Sequence, residues 1–147
     1  MGILICPMTI ETVEGVSKIE KACFSEPWSV NAFIDELKNP DAITLAALDN
    51  QVVGFINARK ILDEVYINNV AVSENFRRQH IAEQLLISLE NKVKDNSSFI
   101  TLEVRKSNIP AQSLYEKLGY EVVGERKNFY QQPTENAILM TKSFKKR

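Results

Sequence analysis

The sequence holds few of the residues that mark specialised classes of protein. Its 147 residues include two cysteines, five glycines and five prolines, which form no metal knuckle, redox pair, repeat or flexible linker. The formal net charge is -1, so overall charge gives no reason to expect a nucleic acid or an anionic membrane as partner. No apolar run is long enough to cross a bilayer. With these classes excluded, the sequence is that of an ordinary globular protein.

The composition agrees with that class. Hydrophobic residues make up 44% and charged residues 25% of a chain whose length is typical of one domain. Residues 1–5 are too short for the apolar core of a signal peptide, and Cys6 and Cys23 are interpreted as small apolar side chains. We therefore expect one domain over residues 1–147, located in the cytoplasm.

The spacing of apolar residues predicts both helices and strands. Helical spacing covers residues 10–23, with Thr9 as candidate N-cap, and Ser29 can cap a second short helix. A third helix carries one apolar face, and a fourth is delimited by Asn108 and Gly119. Strands are predicted near residues 3–8, 43–48, 52–61, 64–72, 99–105, 120–126 and 137–142.

The order of these elements predicts the fold class. The segment 64–105 has room for two parallel strands joined by a right-handed helical crossover. The expected fold is α/β (α+β), a mixed central β-sheet with helices on both faces.

Two arginines precede the predicted third helix. Arg77 and Arg78 stand before a helix start near residues 79–82. The first turn of a helix carries unpaired N–H groups and a partial positive charge, which favour phosphate. From the residues alone, a site for a phosphorylated ligand and a pair of solvated arginines are equally good interpretations.

One carboxylate interrupts a predicted strand. Alternation places Thr101, Glu103 and Arg105 on one face of the strand at residues 99–105. A buried carboxylate needs partners, and desolvation would make it more basic, as a general base near neutral pH requires. A structural ion pair with Arg105 or with a neighbouring strand is the alternative, and the residues alone favour it.

Two further positions break local rules. Asn68 and Asn69 lie inside the strand predicted at residues 64–72, where asparagine is disfavoured. The pair indicates a bulge, or amides that reach a ligand, and a polar edge is the alternative that the residues alone favour. Tyr115 lies with Leu114 and Leu118 on the fourth helix, where it can be either a core residue or a functional one.

Taken together, these residues resemble the GNAT acetyltransferases over almost the whole chain. Within that superfamily the resemblance is to the RimI-type ribosomal-protein-alanine N-acetyltransferases. Each matching string is weak, but their order and spacing are specific. The strings are Glu26-Pro27-Trp28-Ser29, Leu62-Asp63-Glu64, Asn69-Val70-Ala71-Val72, Leu102-Glu103-Val104-Arg105 with Ser107-Asn108, Ala111 with Leu114-Tyr115, Gly119-Tyr120, Arg126-Lys127-Asn128-Phe129-Tyr130, and Pro133, Glu135 and Ala137-Ile138.

The resemblance implies a role for each of these residues in a reaction that uses acetyl-CoA as co-substrate and no metal. Glu103 would be the general base, directly or through water, and Tyr115 the acid that protonates the departing thiolate. The backbone of residues 70–72 would pair with the pantetheine arm, and the turn before the third helix would hold the pyrophosphate. The cofactor-binding residues are then Val70, Ala71, Val72, Arg77, Arg78, Gln79, His80, Ile81, Ala82, Glu83 and Asn108, and the acceptor-binding residues Trp28, Asn69 and Tyr130.

The chain departs from the family pattern at three positions. His80 replaces a glycine of the phosphate turn, where the missing side chain lets the backbone approach the pyrophosphate. We expect weaker cofactor affinity, unless the backbone of His80 stays helical and its ring points to solvent. Asn136 and Phe129 stand where the pattern usually has Asp and often has Tyr, which affects the expected peptide preference.

The resemblance implies N-terminal acetylation of a protein. The expected acceptor is the α-amine of an alanine that begins a small-subunit ribosomal protein, with no direct nucleic-acid or membrane partner. A GNAT enzyme acting on a small-molecule amine or a lysine side chain is one alternative. A degenerate GNAT protein that binds CoA as a sensor is another, supported by His80 and opposed by the retained Glu103 and Tyr115.

Overall fold

The computed structural model describes residues 2–144 and confirms a mixed sheet with helices on both faces. The strands are β1 (Leu4–Pro7), β2 (Ala42–Leu48), β3 (Val52–Ile61), β4 (Glu64–Val72), β5 (Phe99–Arg105), β6 (Glu121–Tyr130) and β7 (Glu135–Ser143). The helices are α1 (Val13–Cys23), α2 (Val30–Leu37), α3 (Ile81–Val93) and α4 (Ile109–Lys117), with a short 3-10 turn at Glu74–Phe76.

One sheet contains all the strands of the described residues, in the order β1-β2-β3-β4-β5-β7-β6. The first four strands pair antiparallel, β4 and β5 pair parallel, and β5, β7 and β6 are again antiparallel. A parallel pair needs a crossover, and α3 supplies it. The predicted crossover therefore joins the two halves of the sheet.

Each face of the sheet has its own apolar core. The face of α3 that the spacing predicts is buried on one side of the sheet, through Ile81, Leu85, Leu86, Leu89 and Val93. On the other side, α1 and α2 pack on β3 and β4 through Val13, Val16, Ile19, Phe33, Phe55 and Ala71. Full burial of one such large side chain stabilises the fold by about 1.5–3 kcal/mol.

Two predicted helix caps are present. The hydroxyl of Ser29 accepts from the amide of Ala32, and the side-chain oxygen of Asn108 accepts from the amide of Ala111. Gly119 follows α4 with a φ of 102°, a left-handed conformation that glycine adopts without steric cost. Within residues 2–144, no helix is both long and apolar enough to span a membrane.

The start of α1 differs from the prediction. Thr9 is not its N-cap, because the helix begins at Val13 and Thr12 occupies the cap position. The hydroxyl of Thr12 donates to the carbonyl oxygen of Thr9 and also accepts from the amide of Thr9. This local turn competes with the helix for backbone groups. Ile10 consequently precedes the helix and is 57% exposed.

The last two strands are longer than predicted. β6 continues past Arg126 to Tyr130, and β7 begins at Glu135. β6 is an outer strand whose side chains are exposed at most positions, so no apolar alternation marks its end. Pairing with β7 maintains the extension, with Tyr130 opposite Glu135.

Replacement of Ser29 by alanine tests the cap of α2. The variant loses the bond from the amide of Ala32, and we expect the free energy of unfolding to fall by about 1 kcal/mol. Urea unfolding followed by circular dichroism measures this quantity. Ser113→Ala, at an exposed position inside α4, is the matched control and should not destabilise, because alanine is the better helix former. Equal losses in the two variants would contradict a capping role.

Candidate active site

A cleft opens in the sheet where β4 and β5 separate. The two strands pair only between Glu64–Tyr66 and Phe99–Thr101, although each continues beyond that point. Past these pairs, the facing edges of β4 and β5 line a cavity of about 570 Å³. Backbone groups that would otherwise complete a parallel ladder therefore face this cavity.

A bulge accompanies the divergence. The register between β3 and β4 shifts from Asn57 opposite Asn69 to Ala58 opposite Ile67, which leaves Asn68 as the extra residue. Bulges bend a strand and increase its local twist. Of the interpretations left open for the asparagine pair, the bulge is the one present, although the residues alone favoured a polar edge. It lies where β4 turns away from β5.

The cleft brings together most residues that were predicted to contact the reacting groups. They come from the α1–α2 connection, β4, β5, both ends of α4 and the end of β6. Those lining the cleft are Trp28, Asn69, Val70, Glu103, Asn108, Tyr115 and Tyr130.

A second cavity, of about 400 Å³, lies at the start of α3. It contains most of the predicted phosphate turn, namely Arg77, Arg78, His80, Ile81, Ala82 and Glu83, and also Val72, which was predicted to contact the pantetheine arm. Two predicted residues lie elsewhere. Ala71 packs in the core beneath α1, and Gln79 lines neither cavity.

Glu103 is not buried as the base hypothesis expected. Its side chain is 34% exposed, and its carboxylate lies 3.0 Å from Nε of Arg126. The candidate partner Arg105 instead pairs with Glu135 at 3.1 Å. The ion pair favoured from the residues is therefore present with a different partner. Only the strand order, which places β6 beyond β7, brings Arg126 to this face.

Two tyrosines in the cleft keep their protons at neutral pH. Tyr115 is 7% exposed, and its burial, assisted by Tyr130, raises its pKa well above the usual value of 10. Burial and then the charge of Glu103 raise the pKa of Tyr130 to about 12, although Arg105 opposes this. Both hydroxyls are therefore able to donate a proton or a hydrogen bond.

Arg105 ties two loops together over the cleft. Its guanidinium donates to the carbonyl oxygens of Gln131 and Pro133, each at 3.0 Å, and lies 4.5 Å from the centre of the Tyr130 ring. It also reaches the hydroxyl of Ser25, which itself donates to Gln131. The α1–α2 connection and the β6–β7 turn are thereby joined. Sequence analysis considered Arg105 only as a possible ion-pair partner of Glu103 and as part of a matching string, and did not predict this bridging role.

Glu20 is a buried carboxylate that sequence analysis missed. It is 1% exposed and accepts from the amide of Trp28 and from the side chain of Asn69, each at 2.9 Å. The side-chain oxygen of Asn69 accepts in turn from Asn57 at 3.2 Å. Burial raises the pKa of Glu20 against the opposing effect of these bonds. Its signal in the sequence was a charge on the apolar face of α1, four residues after Val16.

His80 has the backbone conformation that favours glycine. Its φ of 62° and ψ of 24° are left-handed, which costs a residue with a Cβ roughly 1–2 kcal/mol. The ring is 73% exposed, with Nδ1 3.3 Å from the carboxylate of Glu83. Two conditions were expected for a histidine to be tolerated here. The ring meets the first because it points to solvent, but the backbone does not meet the second because it is left-handed rather than right-handed helical. The strain explains why a glycine suits this position.

Positive charge surrounds the second cavity from two elements. Lys117, at the end of α4, lies 3.1 Å from Glu83, and the pairing with Lys117 and His80 lowers the pKa of the Glu83 carboxyl. Arg77 donates from Nε to the carbonyl oxygen of Val72 at 3.2 Å, which fixes the turn to the end of β4. Lys117 was missed because its place beside the turn depends on the packing of α4 against α3.

Comparison with known proteins identifies the family. Residues 13–120 match the sequence model of the Acetyltransferase (GNAT) family. This chain belongs to the GNAT family. It is therefore an acetyltransferase, as predicted, and the matched segment includes Glu103, Asn108, Tyr115 and the whole phosphate turn.

Several relatives are similar over most of their length. A Bacillus subtilis (strain 168) protein, named as a candidate ribosomal protein bS18-alanine N-acetyltransferase, is 35% identical over 136 residues, which are 90% of each chain. The ribosomal protein bS18-alanine N-acetyltransferase of Haemophilus ducreyi is 32% identical over 127 residues, with 84% of this chain and 88% of the relative covered. An N-alpha-acetyltransferase of Saccharolobus solfataricus is 32% identical over 148 residues, covering 90% and 88%.

Solved structures agree with the fold. The crystal structure of the ribosomal-protein-S18-alanine N-acetyltransferase from Escherichia coli superposes with a TM-score of 0.90 at 26% identity, covering 99% of this chain and 96% of that one. Arabidopsis thaliana NAA60 in complex with acetyl-CoA gives 0.89 at 20% identity, covering 97% and 98%. The second likeness concerns the fold alone.

The cavities of this acetyltransferase suit acetyl-CoA, the co-substrate of its family. The β4 edge at residues 70–72 lies on the side of β5 but forms no ladder with it, so it offers backbone groups to an extended amide arm. The start of α3 offers unpaired N–H groups and lies beside Arg78 and Lys117, which suits a pyrophosphate. Within residues 2–144, no group of three or more His, Cys, Asp or Glu side chains is placed to hold a metal ion. The expectation of metal-free chemistry stays a prediction.

Glu20→Gln tests the buried carboxylate through the pH dependence of stability. Because burial raises the pKa of Glu20, the folded state holds this proton more tightly than the unfolded state. The wild type should therefore lose stability relative to the variant as the pH rises from about 4.5 through the raised pKa. Urea unfolding from pH 4 to pH 7 measures the difference, with Glu14→Gln on the exposed side of α1 as control. A difference that is constant with pH would contradict the burial argument.

His80→Gly and His80→Ala together test the left-handed position. Both remove the imidazole, but only glycine removes the Cβ strain at a φ of 62°. We expect the glycine variant to exceed the alanine variant in free energy of unfolding by about 1 kcal/mol. The glycine variant should also bind acetyl-CoA more tightly than the wild type does, and isothermal titration calorimetry measures this affinity. Equal stability and equal affinity in the two variants would refute a backbone origin of the effect.

Proposed function

We propose that this acetyltransferase acetylates the α-amine at the N-terminus of a protein, with the alanine that begins a small-subunit ribosomal protein as acceptor. The observation that carries the proposal is the meeting of Glu103 and Tyr115 with Trp28 and Tyr130 in one cleft. The names of the bacterial relatives support the acceptor, because they describe alanine acetylation of ribosomal protein bS18.

The entrance of the cleft suits the end of a polypeptide. Trp28 from the α1–α2 connection and Tyr130 from the end of β6 line it from two sides. Both are held in place, Trp28 by the bond from its amide to Glu20 and Tyr130 by the guanidinium of Arg105 over its ring. Rigid aromatic walls position a short segment at little entropic cost, which favours a peptide terminus over a small free amine.

Glu103 is the proposed base. The α-ammonium of a peptide titrates near pH 8, so a carboxylate within reach, directly or through one water, suffices to accept its proton. The side chain of Glu103 is 34% exposed and held from one side by Arg126, which leaves room for an acceptor or a water at the carboxylate.

Tyr115 is the proposed acid. Bound acetyl-CoA supplies a thioester, whose carbonyl carbon bonds to the amine nitrogen while its bond to sulfur breaks. The raised pKa keeps the Tyr115 hydroxyl protonated at neutral pH, and that hydroxyl gives its proton to the departing sulfur. Solvent or the cleft then returns a proton to the phenolate oxygen.

Incubation with acetyl-CoA and an amidated peptide that begins with alanine tests the function. Mass spectrometry is expected to find one acetyl group on the α-amine, and none on a copy whose α-amine is blocked. Acetylation confined to a lysine side chain, or to free small amines, would replace the proposal with a different acceptor class. Acetyl-CoA binding with no acetylation of any amine would favour the sensor alternative.

Glu103→Gln and Tyr115→Phe test the assigned roles. Each is expected to lower kcat/KM by about 100- to 10,000-fold, the usual contribution of a positioned acid or base. The Kd for acetyl-CoA should stay within about twofold of the wild type, because neither change alters the phosphate turn. Glu121→Gln, on β6 and outside both cavities, is the control. Wild-type rates in Glu103→Gln would exclude it as the base.

A further inference from the structure

A groove on the sheet adjoins the cleft and has no assigned role. It has a volume of about 680 Å³ and lies on the face of β5, β7 and β6 opposite the core beneath α3. We call it the β-face groove and define it by Tyr66, Phe99, Thr101, Val123 and Leu139. The described members of the core beneath α1 and α2 come from elements that precede β5, so those helices leave this face uncovered.

The surface of the β-face groove is apolar between two charged sides. Val123 is 61% exposed, and the rings of Tyr66 and Phe99 pack edge to face with centres 6.3 Å apart. Arg59 and Arg126 stand on opposite sides, each paired with a carboxylate. Because both guanidinium groups are already paired with carboxylates, the groove offers apolar contact and does not need a charged ligand to neutralise it.

The β-face groove is continuous with the cleft. Four residues line both, namely Ile67, Asn68, Leu102 and Glu103. Glu103 therefore stands at the junction, and Phe99 lies four residues before it, at the start of the same strand. That length of strand spans about 13 Å, which an extended peptide covers with about four residues.

The opposite end of the cleft is bridged. The hydroxyl of Ser25 donates to the carbonyl oxygen of Gln131, and Arg105 contacts both residues. This bridge joins the two loops beside Tyr130 and restricts the space there. A chain whose amine lies at Glu103 has an uncovered path along the sheet, toward Phe99.

We propose that the β-face groove binds the acceptor polypeptide downstream of its reactive terminus and favours apolar side chains at about its third to sixth residues. The inference rests on the proposed N-terminal acetylation, and it names a property of the acceptor that the cleft alone does not set. Affinity for the acceptor then resides largely in the groove, whereas the rate of the chemical step resides in the cleft.

Kinetics with three amidated peptides test the groove. All begin with alanine and serine, and they comprise the dipeptide, a six-residue peptide continued with serine, and a six-residue peptide with leucine at positions three to five. We expect the KM of the leucine peptide to lie at least about fivefold below that of the dipeptide, with similar kcat values. Equal KM values for all three would overturn the proposal.

Two neighbouring valines of β6 provide a matched pair of variants. Val123 lines the groove, whereas Val122 is 54% exposed, lies outside it and pairs with the buried Met140 of the opposite core. Val123→Ser should raise the KM of the leucine peptide about fivefold, equivalent to about 1 kcal/mol, and leave the dipeptide unchanged. Val122→Ser should change neither. The same KM change for both peptides, or in both variants, would contradict the proposal.

Direct binding separates this inference from the function on which it rests. The N-acetylated leucine peptide carries a fluorophore at its C-terminus, and fluorescence anisotropy measures its binding without turnover. Binding weakened by Val123→Ser but not by Val122→Ser supports the groove even if no peptide is acetylated. Absence of binding overturns it. Sedimentation equilibrium provides the remaining test. A dimer of the wild-type chain that dissociates in Val123→Ser would also overturn the proposal, because the groove would then hold a second copy of the chain.

Discussion

Three residue pairs join β4 to β5, and the active site depends on how few they are. A complete parallel ladder would fill the cleft with backbone hydrogen bonds and leave no room for an acyl donor or an acceptor. The bulge at Asn68 adds a residue to β4 where the strands part, while β3 keeps the strand attached on its other edge. Backbone groups of β4 are thereby exposed inside a rigid sheet, where they cost no reorganisation to use.

The two walls of the cleft are held by different kinds of contact. On the α1 side, the buried carboxylate of Glu20 links Trp28 to Asn69. On the β7 side, Arg105 holds the β6–β7 turn and covers the ring of Tyr130. Each group satisfies several partners at once. Removing Glu20 leaves the buried side-chain amide of Asn69 without this acceptor, whereas removing Arg105 releases exposed carbonyl groups of the β6–β7 turn. The positions of the aromatic walls therefore follow from polar networks together with apolar packing, in which the ring centre of Trp28 lies 5.2 Å from that of Phe33 and the ring centre of Tyr130 lies 5.0 Å from that of Phe129.

The phosphate turn shows how a departure from a sequence pattern acquires a structural meaning. His80 begins α3 in a left-handed conformation with its ring in solvent. The side chain adds a charge partner for Glu83 without entering the protein, and the cost lies in the backbone. The departure is thus a matter of strain in the turn, and His80 does not line the cleft.

The sequence by itself determined the class of fold, the limits of β4 and β5 and the cap of α2, because alternation, turn residues and caps are local signals. It left the bulge as one of several interpretations of the asparagine pair. It also marked Glu103 and Tyr115 through their strings. The tertiary structure alone decided that Glu103 pairs with Arg126, that Glu20 is buried beneath Trp28, and that Lys117 lies beside the phosphate turn. These contacts join residues far apart in the chain. Their partners are set by strand order and helix packing, which no local pattern encodes.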